Sequence, residues 1–410
     1  MKEDAKQSKI LLMPQKHLGA KGLILFISFM GMFIPLSIDL YLPAMPTMTS
    51  YFNTTSAMVN LTLIAFYFFF AVGIIIFGPL SDKYGRKPIL ILCLILYTVG
   101  SAACAMAGSI HLLILFRIFQ SFGAGGVLAN STALVKDSFE GKLKSKVLAI
   151  VQAMSVLAPM IAPLVGAAIL RVAEWRETFW VLTVIGVLTL IIALLFQETI
   201  PKSGRYQGTL TDSLVRLLEV GKNVGFSSFL FVAALLAAPY MAYVTVSAYI
   251  YQNHFALSAQ AYSYYFAVNS ALAVFGPIIY IRSIGKLSAR TFTWCCFGVA
   301  LVSGVCVYLI GNSSPLVFLI SYLPFTLVEG AIRPFSTNIL LDQQSEDTGS
   351  ASSLINATHT ILGSIGMALS SLAWKNAVHG LGIIMISSTI IAILIWIILL
   401  QKKVSIKGLI

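Results

Sequence analysis

Charge is scarce in this chain. Only 10% of its 410 residues are charged and 15 are acidic, against 58% hydrophobic residues and a mean hydropathy of +0.90. A soluble domain carries roughly 25% charged residues, so a water-soluble enzyme or receptor domain is excluded over most of the length. No G-x-x-x-x-G-K-[ST] loop occurs, and no polar segment is long enough to fold as a nucleotide domain, which excludes transport driven by the chain's own ATP hydrolysis. The five cysteines, Cys93, Cys104, Cys295, Cys296 and Cys306, fall within apolar runs without a histidine or second pair at zinc-like spacing. They read as small packing residues, and no metal or other cofactor is expected.

What the chain has is apolar length. A bilayer span needs ~20 apolar residues, and about twelve such runs occur, near 23–46, 57–77, 89–108, 111–135, 146–170, 178–197, 226–251, 261–281, 291–311, 315–341, 350–374 and 379–400. Their polarity does not alternate as in the strands of a membrane barrel. The expected fold is an all-α membrane protein of twelve helices in two six-helix halves. The halves span 23–197 and 226–400, flanked by tails 1–22 and 401–410 and joined by a polar linker 198–225 with an amphipathic piece from Leu210 to Val220. Ser81 to Lys87 has a weaker echo in Arg282 to Arg290, as expected of related halves around a cavity.

The net charge of +12 invites a nucleic-acid reading, but the positions of the basic residues oppose it. About 22 of the 27 lie in the tails and on one side of the runs, about 3 on the other (Arg171, Arg176, Lys375), and 2 inside runs (Arg117, Arg333). The positive-inside rule then puts both termini in the cytoplasm. The first run follows a basic tail, is longer than a signal-peptide core and lacks a small-x-small site, so it reads as an uncleaved span.

Ionisable groups at membrane depth are functional by default, and Asp39, Arg117, Glu329 and Arg333 are placed so. Asp39 lies a few residues below the outward end of the first run and Arg117 about six below that of the fourth, both on the order of 10 Å inside. They are candidate partners. The guanidinium favours the ionised carboxylate and burial the neutral acid, so conformation can move a proton on or off Asp39. Glu329 and Arg333 share a face at i,i+4 spacing. Either they neutralise each other, or Glu329 is a second proton or cation site.

Gly78-Pro79-Leu80-Ser81-Asp82-Lys83-Tyr84-Gly85-Arg86-Lys87 resembles the loop 2–3 signature of the major facilitator superfamily. Arg117-Ile118-Phe119-Gln120-Ser121-Phe122-Gly123-Ala124-Gly125 resembles its helix 4 motif, and Ala158 to Gly166, with Pro159 and Pro163, the helix 5 motif of its drug:proton antiporters. Ser37 to Pro46, Trp175 to Trp180 and Glu198-Thr199-Ile200-Pro201 narrow the resemblance to the Bcr/CflA multidrug efflux subfamily. Ser121, Ala158 and Ala162 stand where these motifs favour glycine. Gly31 occupies the place of a second helix 1 carboxylate that relatives can carry.

The resemblance implies a monomeric antiporter in the bacterial inner membrane, exchanging lipophilic drugs of the chloramphenicol or bicyclomycin kind for protons among membrane lipids. Asp39, Arg117 and Glu329 are then the proton-coupling candidates. Gly78, Asp82, Gly85 and Arg86 are gate residues, with the start of the eleventh run near Gly349 and Ser350 as Asp82's neighbour. Pro159, Pro163 and Gly166 bend and closely pack the fifth helix. Tyr41, Tyr67, Tyr240, Tyr243, Asn269 and Asn338 are substrate candidates, because a polar tip in the membrane needs a partner or water. His111, His254 and His379 read as interface or packing residues, and His359 as a possible proton relay. A permease for an amino acid, siderophore or other metabolite is the alternative within transport. A membrane enzyme or receptor would need a catalytic cluster or a large extramembrane domain, and neither is visible.

Overall fold

A computed structural model describes residue 12 and residues 15–409 apart from 202, 204, 209 and 344–347. Residues 1–11, 13 and 14 of the basic tail lie outside the described residues.

The membrane helices, in chain order, are α1 (Gly19–Tyr51), α2 (Ser56–Tyr84), α3 (Arg86–Ala105), α4 (Ile110–Ser138), α5 (Gly141–Ile169), α6 (Trp175–Leu195), α7 (Val224–His254), α8 (Ala259–Ser283), α9 (Ala289–Leu309), α10 (Pro315–Asp342), α11 (Thr348–Ser370) and α12 (Ala377–Gln401). Among the described residues ten of these are long and apolar enough to cross a membrane; α11 is not among the ten, and α5 contributes a shorter apolar stretch, Leu157–Ile169. The linker carries the amphipathic helix Leu210–Gly221. Side-chain oxygens of Ser109, Asn223, Ser258, Ser288, Ser314 and Asn376 cap the first turns of α4, α7, α8, α9, α10 and α12, satisfying amides that a helix start otherwise leaves open.

Helix α1 is broken twice, for one reason each time. Pro35 and Pro43 cannot donate to the carbonyls four residues earlier, those of Gly31 and Asp39, and their rings crowd those carbonyls. The α-helix accordingly stops at Met30, resumes at Phe33, stops at Asp39 and passes through a 3-10 turn, Leu42–Ala44. It then continues to Tyr51, ending before Asn53, whose φ is +47°. The expected end near 46 is therefore too early. Asp39 lies twelve residues short of the helix end, about 18 Å at ~1.5 Å per residue, rather than a few residues.

Contacts divide the chain into two compact units, Met1–Ala44 with Phe68–Asp212, and Met45–Tyr67 with Ser213–Ile410. In the first, α3 packs on α4 and α6, and α5 lies along α1. In the second, α7 packs on α11, and α9 on α10 and α12. Segment Met45–Tyr51 packs on Ala237–Tyr249 of α7, and Asn60 donates to Ser371 at 3.0 Å. The core of the second unit is aromatic: Tyr243 stacks on Tyr322 with ring centres 4.1 Å apart, and Tyr251 on Tyr265 at 4.8 Å.

Candidate functional site

Arg117 is fully buried. Its Nη1 donates to the Ser37 carbonyl at 3.0 Å and to Gln120 Oε1 at 2.7 Å, and its Nη2 to the Tyr41 hydroxyl at 3.5 Å. The guanidinium lies over the rings of Tyr41 (4.7 Å) and Phe179 (5.6 Å), adding cation–π attraction in a desolvated place. The web continues through Gln120 Nε2 to Ser101 Oγ at 2.8 Å, Ser101 Oγ to the Tyr97 carbonyl at 2.7 Å, and the Tyr97 and Ser37 hydroxyls at 2.7 Å from each other. It ties α1, α3 and α4 together.

Asp39 is not in that web. Its side chain is buried, 5% exposed, and among the described residues no hydrogen bond or ion pair reaches it. The expected Asp39–Arg117 pair is therefore not formed in this conformation. The arginine is instead held by Ser37 and Tyr41, two residues to either side. Of the web, Ser37, Tyr97, Ser101 and Gln120 escaped sequence reasoning. Gln120 had a signal, lying three residues after Arg117 on the same helix face.

Next to Asp39, a Cβ on Gly166 of α5 would overlap the Leu40 carbonyl, so this glycine lets α5 touch the α1 backbone at its second break. Helix α5 runs unbroken through Pro159 and Pro163, so neither proline interrupts it as those of α1 do. Gly78 is different from Gly166, since a Cβ there would meet nothing.

The loop 2–3 residues form a second cluster. Arg86 bonds Asp82 at 2.5 Å, Ser81 Oγ at 2.6 Å and, through Nε, Asp137 Oδ2 at 2.7 Å. The Glu198 carboxylate accepts from the backbone amides of Arg86 (2.9 Å), Lys87 (3.1 Å), Thr199 (2.9 Å) and Ile200 (3.2 Å). It thus caps α3, where a negative charge also meets the positive end of the helix dipole. Gly85 precedes that helix with φ +106°, and a Cβ there would strike Glu198 and Arg205. Two motifs far apart in sequence, Ser81 to Lys87 and Glu198 to Pro201, are one structure. Asp82, Arg86, Asp137, Thr199, Ile200, Pro201 and Tyr206 line a cleft of about 490 Å³ beside it. Asp137 and Glu198 had no role assigned from sequence.

In the second unit, Glu329 and Arg333 lie one turn apart on α10, yet no ion pair within bonding distance joins them. The expected mutual neutralisation by contact is absent. Of the substrate candidates, Tyr41 is under Arg117, and Tyr243 is sealed in the aromatic core at 1% exposure. Asn269, also buried, accepts from Thr326 Oγ1 at 2.7 Å and so cross-links α8 to α10. Asn338 is exposed and donates to the Tyr280 hydroxyl at 3.4 Å. Tyr67 and Tyr240 are half-buried. Among the described residues no group of His, Cys, Asp and Glu could hold a metal ion.

Residues 23–367 match the Major Facilitator Superfamily. The chain belongs to that superfamily. It is a multi-pass membrane transporter, not an enzyme. It is 30% identical over 375 residues to an uncharacterized MFS-type transporter of Bacillus subtilis, YdgK, covering 90% of this chain and 93% of that one. A bicyclomycin resistance protein homolog of Haemophilus influenzae is 25% identical over 283 residues, covering 69% of this chain and 71% of its own. Among solved structures, a peptide transporter, POT, in complex with alafosfalin superposes with a TM-score of 0.76 at 14% identity over 100% of both chains, which speaks to the fold alone. The loop 2–3 and helix 4 motifs of this member correspond to the two polar clusters built around Arg86 and Arg117.

Proposed function

We propose that this superfamily member is a proton-coupled exporter of lipophilic drugs of the chloramphenicol or bicyclomycin kind, sited in the bacterial inner membrane with both termini in the cytoplasm. The observation that carries the coupling is Asp39: a buried carboxyl without a partner, at a proline break, flanked by the two residues that hold Arg117. An unpaired carboxylate in a low-dielectric setting is costly, and a bound proton removes the cost. A modest rotation of α1 about its breaks trades Ser37 and Tyr41 for Asp39 as the arginine's partner. That exchange favours release of the proton, since a guanidinium beside the carboxyl stabilises its charged form.

In the cycle, Asp39 takes a proton from the outside, the two six-helix halves, 23–197 and 226–400, exchange access, and drug arriving from the cytoplasm favours proton release inward. Gly166 provides the contact through which α5 follows α1. The Asp82–Arg86–Asp137 cluster, with Glu198 beneath it, holds the cytoplasmic loop as part of the gate. Tyr67 and Tyr240, both half-buried, supply aromatic surface for the drug, and few fixed polar groups let such a cavity accept varied ligands.

The likeness to a bicyclomycin resistance protein homolog supports the drug class. The experiment is drug-dependent proton movement in proteoliposomes under an imposed pH gradient, with chloramphenicol and bicyclomycin set against a panel of amino acids, sugars and siderophores. Proton release on adding drug, absent with the metabolites, is the expected result; coupling to a metabolite alone refutes the drug reading.

A further inference from the structure

Helix α10 presents three faces. Leu316 and Ile320 are 54% and 57% exposed and mark the lipid side. Phe318, Phe325 and Ile332 mark the packed side. A third stripe, Tyr322, Thr326, Glu329 and Arg333, recurs every three or four residues, about 130° round from the lipid face at ~100° per residue. Exposure climbs along it: Tyr322 and Thr326 are fully buried, Glu329 is half-buried and Arg333 is exposed. Arg333 lies nine residues from the helix end at Asp342, about 14 Å deep at ~1.5 Å per residue. An exposed arginine well inside a membrane helix is met by water rather than hydrocarbon, and exposure falls from it along the stripe to the buried Tyr322.

The charges on this stripe are kept apart. Glu four residues before Arg is the favourable order for a helical ion pair, yet the two heads are not paired. On α11, His359 is only 6% exposed and neither ring nitrogen has a hydrogen-bond partner. The Arg333 guanidinium is near enough to act electrostatically on both Glu329 and His359. The Tyr322 hydroxyl, within the electrostatic reach of Glu329, is buried without a partner as well. Separated opposite charges and orphaned donors at membrane depth are costly; a ligand with the complementary pattern offsets that cost.

We propose that Glu329, Arg333 and His359 form a dipolar site for a zwitterion of the α-amino-acid type bearing an apolar side chain. The ligand's ammonium lies against Glu329, below the Tyr322 ring. Its carboxylate lies against Arg333 and the His359 N–H. The inference goes beyond the export reading above: it names a ligand class bound by the second unit, and proton-coupled transport of that ligand is no part of it. It requires no proton on these groups and no metal.

The test is binding to the purified full chain in nanodiscs, by calorimetry at neutral pH, of four ligands with one side chain: L-phenylalanine, phenethylamine, 3-phenylpropionate and 3-phenylpropanol. The zwitterion is expected to bind about 10- to 100-fold tighter than either singly charged ligand, the range of one charge-assisted contact. Glu329→Gln should lower phenylalanine to the affinity of the anion, and Arg333→Gln to that of the cation, while Arg333→Lys keeps the preference. His359→Gln should weaken phenylalanine and 3-phenylpropionate together. Equal affinity for all four ligands in the parent chain, no binding by any, or variants that weaken all four alike overturns the site. If the charge preference holds but no drug-dependent proton movement occurs in proteoliposomes, the drug-export reading fails and the zwitterion site stands.

Discussion

A single carboxyl, that of Asp39, is asked to carry the coupling, and its neighbours make the claim sharp. Asp39→Asn keeps size and polarity but cannot take up or release a proton. The variant should insert and fold, bind drug, and show no drug-dependent proton release; proton-coupled efflux at the parent rate, followed with a pH-sensitive dye, would remove Asp39 from the mechanism. Arg117 is bonded to Ser37, Gln120 and Tyr41 and lies over two rings. Arg117→Ala opens a cavity and leaves Gln120 and the Ser37 carbonyl without their donor, at about 1–3 kcal/mol for each buried acceptor left unpaired. It should lower thermal stability as well as transport, whereas Asp39→Asn should lower transport alone. Arg117→Lys keeps the charge but not the fork of donors, so partial recovery of stability without recovery of transport is expected.

At the scale of helices and loops, Gly85 and Glu198 test whether the two distant motifs act together. Gly85→Ala forces a side chain into a positive-φ position and against the Glu198 carboxylate, at about 1–2 kcal/mol or more. Glu198→Gln keeps the shape but removes the negative charge from the amides of Arg86 and Lys87, at about 1 kcal/mol. Both should lower the melting temperature and increase cysteine labelling at position 83 in a Lys83→Cys background. Unchanged labelling in both would reduce the Glu198 contact to incidental packing. Gly166→Ala overlaps the Leu40 carbonyl, so α5 or α1 must move beside Asp39; drug turnover should fall at least tenfold with the protein still inserted, as read by initial efflux rates.

For the whole molecule, export by exchange with protons demands that the gradient be the driving force. Collapsing an acid-inside pH gradient with a protonophore should stop drug accumulation in inside-out vesicles within the response time of the dye, and imposing one without nucleotide should start it. ATP-dependent accumulation with the gradient collapsed would contradict the reading of a chain that lacks a nucleotide-binding loop.

Composition and the length of its apolar runs determined the fold class, because only helices that satisfy their own backbone, or closed barrels, persist in a bilayer, and these runs do not alternate. Local spacing also placed the groups that matter: Asp39, Arg117, Glu329 and Arg333 stood out as charges where charge is expensive. Which of them touch was not legible. Asp39 with Arg117, and Glu329 with Arg333, are pairs that depth and spacing favour, yet the structure bonds Arg117 to Ser37, Gln120 and Tyr41 and leaves Glu329 and Arg333 apart. Nor does the sequence tell that Glu198 caps α3, a contact between residues 111 and 112 positions apart. Partner choice of this kind depends on side-chain direction and on how closely helices approach. Those are fixed by proline breaks in α1, by Gly166 against Leu40 and by Gly85 beneath Glu198, acting together through packing. A one-dimensional pattern records which residues are costly to bury, and only the packed helices decide which neighbours meet that cost.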